Sequence, residues 1–188
     1  MTRIAIIIGS TRPGRKAETV AHWVHDHARR REDAAFELID IADFDLPHID
    51  EPTPPIMGDY ERPHTLAWSQ AIASYDAYVF VTPEYNHSTS GVLKNAIDFL
   101  YDEWNDKACA FVSYGVQGGI RAIEHLRLVA AELKLADVRA HVALTLGTDT
   151  MEDEIDPHGN QLEKLDAMLD DLVAWSTALA PLRTTGNE

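Results

Sequence analysis

Apolar residues fall in three unbroken runs, Ile4 to Ile8, Ala77 to Val81 and Ala108 to Val112, each bounded by turn-forming residues. Runs that do not alternate suit strands covered on both faces of a sheet. Two further stretches differ: "VRAHVALTL", from Val138 to Leu146, alternates apolar with polar residues, and "FELIDI", from Phe36 to Ile41, is mixed. These read as edge strands. Between the strands the apolar spacing becomes helical, over Ala17 to about Arg30, Thr65 to Tyr75, Ala122 to Leu135 and Gln161 to Leu179. Leu93, Ala96, Ile97, Leu100 and Trp104 form a further helical stripe.

Five strands thus alternate strictly with five helices, which predicts an α/β fold, a doubly wound parallel sheet with helices on both faces. With the second and fifth strands at the edges, the strand order is 2-1-3-4-5. Its switch point lies between the first and third strands, where such sheets bind ligands. No internal repeat or low-complexity segment divides the chain, so residues 1–188 are expected to form a single domain. At that length the chain buries roughly two-thirds to three-quarters of its unfolded surface. The segment "PHIDEPTPPIMGDYERP", 47–63, is proline-rich and too long for an ordinary turn. It reads as a flap over the site or as a surface excursion.

Charge narrows the range of partners. Asp and Glu number 31 against 16 Lys and Arg, a formal charge of −15. Such a surface repels nucleic acid and anionic membrane, so an anionic ligand must be held locally. The single cysteine, Cys109, lies in an apolar run, excludes an internal disulfide and reads as a buried small side chain. No secretory signal pattern opens the chain, and no apolar stretch approaches ~18 residues. The expectation is a soluble, cytoplasmic protein.

Against this background "GSTRPGRKA", Gly9 to Ala17, is a basic island at the end of the first strand. It is not an NTPase phosphate loop: Gly9 and Gly14 have the spacing, but Arg15, Lys16 and Ala17 follow where lysine and a magnesium-binding hydroxyl belong. Nor is it a dinucleotide fingerprint, since no glycine follows Ser10. What remains is a strand-to-helix turn. Ser10 and Thr11 offer hydroxyls, Arg12 and Arg15 can fork onto oxygens, and a helix N-terminus points the same way. That suits one terminal phosphate.

The third strand ends in "TPEYNHSTSGVLKNAID", 82–98, where Pro83 stops the ladder, Tyr85 offers an aromatic face and Asn86 a donor and an acceptor. The fourth ends in "SYGVQGGIRA", 113–122, whose Gly115, Gly118 and Gly119 let backbone N–H groups approach a planar ligand. Strand ends one, three and four meet at one crevice in this topology, a phosphate pocket beside a flat polar and aromatic slot. Flavin mononucleotide (FMN) fits that shape.

At these residues the chain resembles the NADPH-dependent FMN reductases of flavodoxin-like fold, over about Arg3 to Leu146. The resemblance rests on "GSTR" at 9–12, "PEYN" at 83–86 with "GVLKNAID" at 91–98, and "SYG" with "GG" between 113 and 119. It implies that Ser10, Thr11, Arg12, Arg15 and Lys16 hold the FMN phosphate. It also implies that Pro83, Glu84, Tyr85 and Asn86, with Ser113, Tyr114, Gly115, Gly118 and Gly119, surround the isoalloxazine. Many members carry proline before the glycine of the third loop, where this chain has Ser90. The resemblance further implies NADPH or NADH as reductant, a small-molecule electron acceptor, and a homodimer or homotetramer. The helix after "PEYN" would then form the contact, with Phe99 and Trp104 as its candidate residues.

Other constellations carry less. His22, His25 and His27 on the first helix lack the i, i+4 spacing of a two-histidine zinc face and read as a solvated face, and no metal site is expected. His141 reads as an exposed side chain on the alternating strand. "DTMEDEID", 149–156, lacks a calcium-loop arrangement and reads as helix entry and surface charge. No residue has the setting of a covalent nucleophile. Two functions remain. One is an NAD(P)H-dependent reductase that passes two electrons through FMN to a quinone, azo compound, flavin or metal oxyanion. The other is a flavodoxin-type one-electron carrier, against which the three cations of the first loop speak.

Overall fold

The computed structural model describes residues 1–151 and 154–184. In chain order its elements are β1 (Thr2–Ile8), α1 (Ala17–Ala28), β2 (Ala34–Asp40), α2 (Pro63–Ala73), β3 (Ala77–Pro83), α3 (Gly91–Asp98), β4 (Lys107–Gly115), α4 (Ile120–Glu132), β5 (Leu135–Thr145), the two-residue strands β6 (Thr150–Met151) and β7 (Glu154–Ile155), and α5 (Gln161–Thr184). The five long strands form one parallel sheet in the order β2-β1-β3-β4-β5. This is the flavodoxin-like order expected from the two mixed edge strands.

The three unbroken apolar runs became the central strands because both of their faces are covered. Ile4, Ile6 and Ile8 point into a layer with Val20, Val24, Leu165 and Leu172 from α1 and α5. Ala5 and Ile7 point into the opposite layer with Trp68, Phe80, Leu93 and Phe111. Each isoleucine so buried contributes about 1.5–3 kcal/mol. Cys109 is buried as expected, and burial pushes its thiol pKa up.

Four expectations are corrected. The third helix stops at Asp98, with Phe99 as its C-cap, rather than running to Trp104. Trp104 returns to the core through turns instead, its indole N–H donating to the Ile97 carbonyl at 3.1 Å. Phe99 and Trp104 are both fully buried inside this chain, so neither can form a contact with a second copy. The helical spacing was real, but it fed the chain's own aromatic layer, in which Trp104 meets Tyr78 edge-on at 4.9 Å. Where helix entry was expected at 149–156, β6 and β7 make a short antiparallel ribbon. Asp149, buried, ties that segment down by accepting from the Thr145 and His158 amides at 2.7 and 2.8 Å. Finally, His141 is half-buried rather than exposed.

Segment 47–63 is an excursion docked on the chain itself. The Asn95 side chain of α3 donates to Pro47 O and accepts from the Ile49 amide, and Tyr60 donates to Glu103 at 3.0 Å. Glu51 accepts from the amides of Glu61 and Arg62, serving the N-terminus of α2 in place of a capping side chain. The last helix runs through Pro181 to Thr184. Arg183 fastens that final turn to Asp106 O and Asp76 at 3.0 and 3.1 Å.

Candidate functional site

Close packing builds the site from below. A Cβ on Gly9 would lie 2.5 Å from Val81 O and 2.9 Å from Leu93, so only glycine lets the end of β1 pass the end of β3. The chain then turns through Ser10 to Lys16 into α1, whose N-cap, Lys16, supplies no side-chain acceptor to the first-turn amides. Those N–H groups and the positive helix end remain available to an anion. Ser90, at the proline position, does two jobs: its hydroxyl donates to Gly9 O at 2.5 Å and accepts from the Leu93 amide at 3.1 Å. It caps α3 and joins the first loop to the third, which makes a proline unnecessary here.

A cavity of about 140 Å³ at this edge is lined by Arg12, Arg15, Lys16, Pro83, Glu84, Tyr85, Tyr114 and Gly115, together with Val116 and Leu146. Eight of the expected residues are thus brought together from loops far apart in sequence. Ser10 is buried just behind, its hydroxyl 3.3 Å from the Tyr85 hydroxyl. Thr11 faces a neighbouring cavity toward Asp45 and Asn95 instead. Asn86 is exposed at the tip of a tight turn, and Ser113, Gly118 and Gly119 are buried within the β4–α4 turn. No residue of 47–63 lines the cavity.

The side chains differ in how far they are committed. Arg12 is exposed and its guanidinium has no hydrogen bond or ion pair among the described residues. Arg15 is held by Asp40, by Ser10 O at 2.7 Å and, more loosely, by Glu18. Tyr114 is buried with its hydroxyl unpartnered among the described residues. Burial and then the neighbouring Tyr85 push that phenol's pKa up, while Arg12, the Ala17 amide and Arg15 pull it back. A buried hydroxyl without a partner beside two arginines and an open helix N-terminus is the setting in which a phosphate completes the hydrogen bonding. The residues present therefore fit the phosphate end of a mononucleotide.

The other two loops hold themselves. Tyr85 and Ser88 exchange backbone hydrogen bonds at 2.9 and 3.2 Å across Asn86 and His87, both with positive φ of 49° and 76°. This is a two-residue turn of the kind that demands left-handed backbone. Glu84, nearly buried, is gripped by Arg121 of α4, whose Nε lies 2.7 Å from Oε1 and whose amide donates to Oε2. The Ser113 hydroxyl donates to Gly118 O at 2.6 Å, closing the β4 turn from within. Gly9 and Ser90 were noted in the sequence but not for these contacts, and Arg121 was not singled out. Only Ser90 left a signal, a capping residue directly before an apolar helix.

The fold and the site define a doubly wound α/β protein with a basic cavity at its switch point. The family model described as NADPH-dependent FMN reductase matches residues 2–149. An NAD(P)H-dependent FMN reductase of Nectria sp is 44% identical over 159 residues, covering 79% of each chain. One of Schizosaccharomyces pombe is 42% identical, covering 82% of this chain and 79% of the relative. A 2-hydroxy-1,4-benzoquinone reductase of Burkholderia sp is 31% identical over 92% of this chain and 95% of its own. In structure, the flavoenzyme NAD(P)H:(acceptor) oxidoreductase FerB of Paracoccus denitrificans superposes with a TM-score of 0.74 over 95% of this chain and 98% of that one, at 23% identity, a likeness of fold. The chain belongs to the NADPH-dependent FMN reductase family. It is an NAD(P)H-dependent oxidoreductase that works with FMN, and the one-electron carrier is not favoured.

Among the described residues no helix is long and apolar enough to cross a membrane, and no group of three or more His, Cys, Asp or Glu is placed to hold a metal ion.

Proposed function

We propose that the cavity between Arg12, Tyr85 and Tyr114 is where FMN binds, and that residues 1–188 act as one cytoplasmic unit that reduces a small-molecule acceptor of the quinone type. The observation that carries this reading is the Tyr114 hydroxyl beside Arg12 at the open end of α1, neither side chain having a hydrogen-bond partner among the described residues. Arg12, Lys16 and Ser10 bind the phosphate, and Thr11, turned to the neighbouring cavity, does not. Arg15 joins them from its station on Asp40 or keeps the loop in shape for them. Pro83 to Asn86 and Gly115 to Gly119 frame the isoalloxazine, while the Tyr114 hydroxyl lies at the phosphate end. The relatives named as quinone reductases support the acceptor class.

FMN, when bound, supplies the two-electron chemistry, taking hydride from a nicotinamide and returning two electrons to the acceptor. The protein's share is to orient and to exclude. Tyr85, fixed by its turn and by Ser10, would set the angle of the slot, and Arg12, Lys16 and Tyr114 would hold the phosphate end of FMN in the small cavity. NADPH or NADH and then the acceptor would use the one open face in turn. A second copy can wall the open side through α3 and α4, where Val92 and Leu128 are exposed. That contact makes the particle a homodimer or homotetramer. Steady-state rates with NADPH and a benzoquinone test the reading. Parallel double-reciprocal lines are expected, and intersecting lines would contradict the shared face.

A further inference from the structure

A second cavity, of about 700 Å³, lies on the outer flank of the sheet between α4, β5 and α5, with Ile120, Arg127, Arg139, His141, Lys164 and Trp175 in its walls. Its volume falls in the range of small-molecule sites, ~300–1,000 Å³. None of these residues touches the cavity at Arg12.

Its charge is out of keeping with the chain. Acids outnumber bases 31 to 16, so a cation without an acidic partner is unusual here. The two acids of the groove, Glu124 and Asp137, are both engaged by Arg127. Arg127 is held further by the carbonyls of Val138 and Arg139, each at 3.0 Å, and by the Phe111 ring at 5.5 Å. Arg139 and Lys164 are exposed, and neither side chain has a hydrogen bond or ion pair among the described residues. Arg127, Arg139 and Lys164 all line this one groove, and beside burial the charges of Arg127 and Lys164 lower the His141 pKa against the raising effects of the Arg139 carbonyl and Glu124. Trp175 and Ile120, both 46% exposed, add a flat apolar wall.

An edge strand invites an extended peptide, but this one is closed to it. Outward carbonyls of Val138 and Arg139 are taken by Arg127, and that of Ala143 accepts from the Gln161 side chain at 2.9 Å. Strand addition would have to break those contacts. A concave site with two unpaired cations and an aromatic face suits a compact anion carrying a flat ring. Arg139, His141 and Ala143 all line the groove from β5, which is irregular opposite Cys109 to Phe111.

We infer that this groove binds a nucleoside phosphate, with its phosphate on Arg139 and Lys164 and its base against Trp175. The ligand would also lie against the back of the β4–α4 turn. Ala143 lines the groove, and a Cβ on Gly118 would meet that of Ala143 at 3.1 Å. The groove shares no residue with the phosphate cradle.

Calorimetric titration of the FMN-loaded protein with ADP tests this. One saturable site with Kd below about 1 mM is expected. Arg139→Glu and Lys164→Glu should each weaken it about tenfold, the scale of one charge-assisted contact, and Trp175→Leu should weaken it severalfold. All three are surface positions. If a charge reversal should fail to fold, Arg139→Gln gives the same comparison with a smaller loss. Arg12→Ala should leave ADP affinity unchanged. No saturable heat up to about 5 mM ADP would overturn the inference. So would an affinity that survives Arg139→Glu but falls with Arg12→Ala, which would put the nucleotide in the first cavity. The titration reads binding alone, so its outcome does not depend on whether NADPH is oxidised.

Discussion

The loop after β1 and the loops after β3 and β4 meet at one cavity but are built on opposite plans. After β1, Arg12 is unpaired among the described residues, the amides of α1 have no side-chain cap, and the Tyr114 hydroxyl they approach has no partner. After β3 and β4 the loops bond to themselves, in the Tyr85–Ser88 turn, the Glu84–Arg121 pair and the Ser113–Gly118 bond. On the proposed reading one side is left incomplete for a ligand's charge and the other is a self-bonded frame for a flat ring. Substitutions on the frame should therefore cost stability, and those on the incomplete side should cost affinity.

Gly119→Ala should have the largest effect. The residue has φ +76°, and a Cβ there would lie 2.8 Å from that of Ser113 and 3.0 Å from backbone of Tyr114. Overpacking and left-handed strain together cost ~3 kcal/mol or more, read as a fall in the thermal midpoint and loss of bound flavin. Gly14→Ala sharpens the contrast. Its φ is +69° but nothing lies within 4 Å, so only ~1 kcal/mol of backbone strain is expected.

Arg12→Ala comes next and reverses the pattern. FMN affinity should fall by about 1.5–3 kcal/mol, while the thermal midpoint of the flavin-free protein stays where it was. A flavin fluorescence titration beside a melt reads both. Arg121→Ala should do the opposite, lowering stability by ~1–2 kcal/mol because the nearly buried Glu84 carboxylate loses its cation, with flavin affinity within about threefold of the parent.

The smallest effect lies outside both loops. His141 is half-buried, and burial followed by the Arg127 and Lys164 charges lowers its pKa from 6.5. Below pH 6.5 the unfolded chain takes up a proton that the folded one resists, so this group's contribution falls as pH drops through that window. His141→Gln should flatten the slope of stability against pH below 6.5, checked by urea unfolding at several pH values. An unchanged slope would show that His141 is solvated.

What was legible in the sequence follows the same division. Unbroken apolar runs reveal strands buried on both faces, and mixed runs reveal edges, so the order 2-1-3-4-5 could be reached without coordinates. The basic island showed as local composition against an acidic chain. The frame did not show, because it rests on long-range pairs: Glu84 with Arg121, 37 residues away, and Ser90 with Gly9, 81 away. Phe99 and Trp104 misled for a related reason. Helical spacing tells that one face is apolar but not whether a second copy or the chain's own aromatics cover it, and here Tyr78 and Trp68 do. The β6–β7 ribbon is too short for a pattern, since two residues per strand carry no periodicity.

The central claim is that the cradle and the frame together hold a flavin that a nicotinamide can reduce. The most direct test is the visible spectrum of the FMN-loaded protein as NADPH is added without oxygen. The account predicts that the flavin absorption bleaches with one equivalent of NADPH and returns when a quinone is admitted. Its Arg12→Ala variant, at equal flavin, should bleach in proportion to the flavin still bound. A spectrum that NADPH leaves unchanged, with FMN demonstrably bound, would contradict the account.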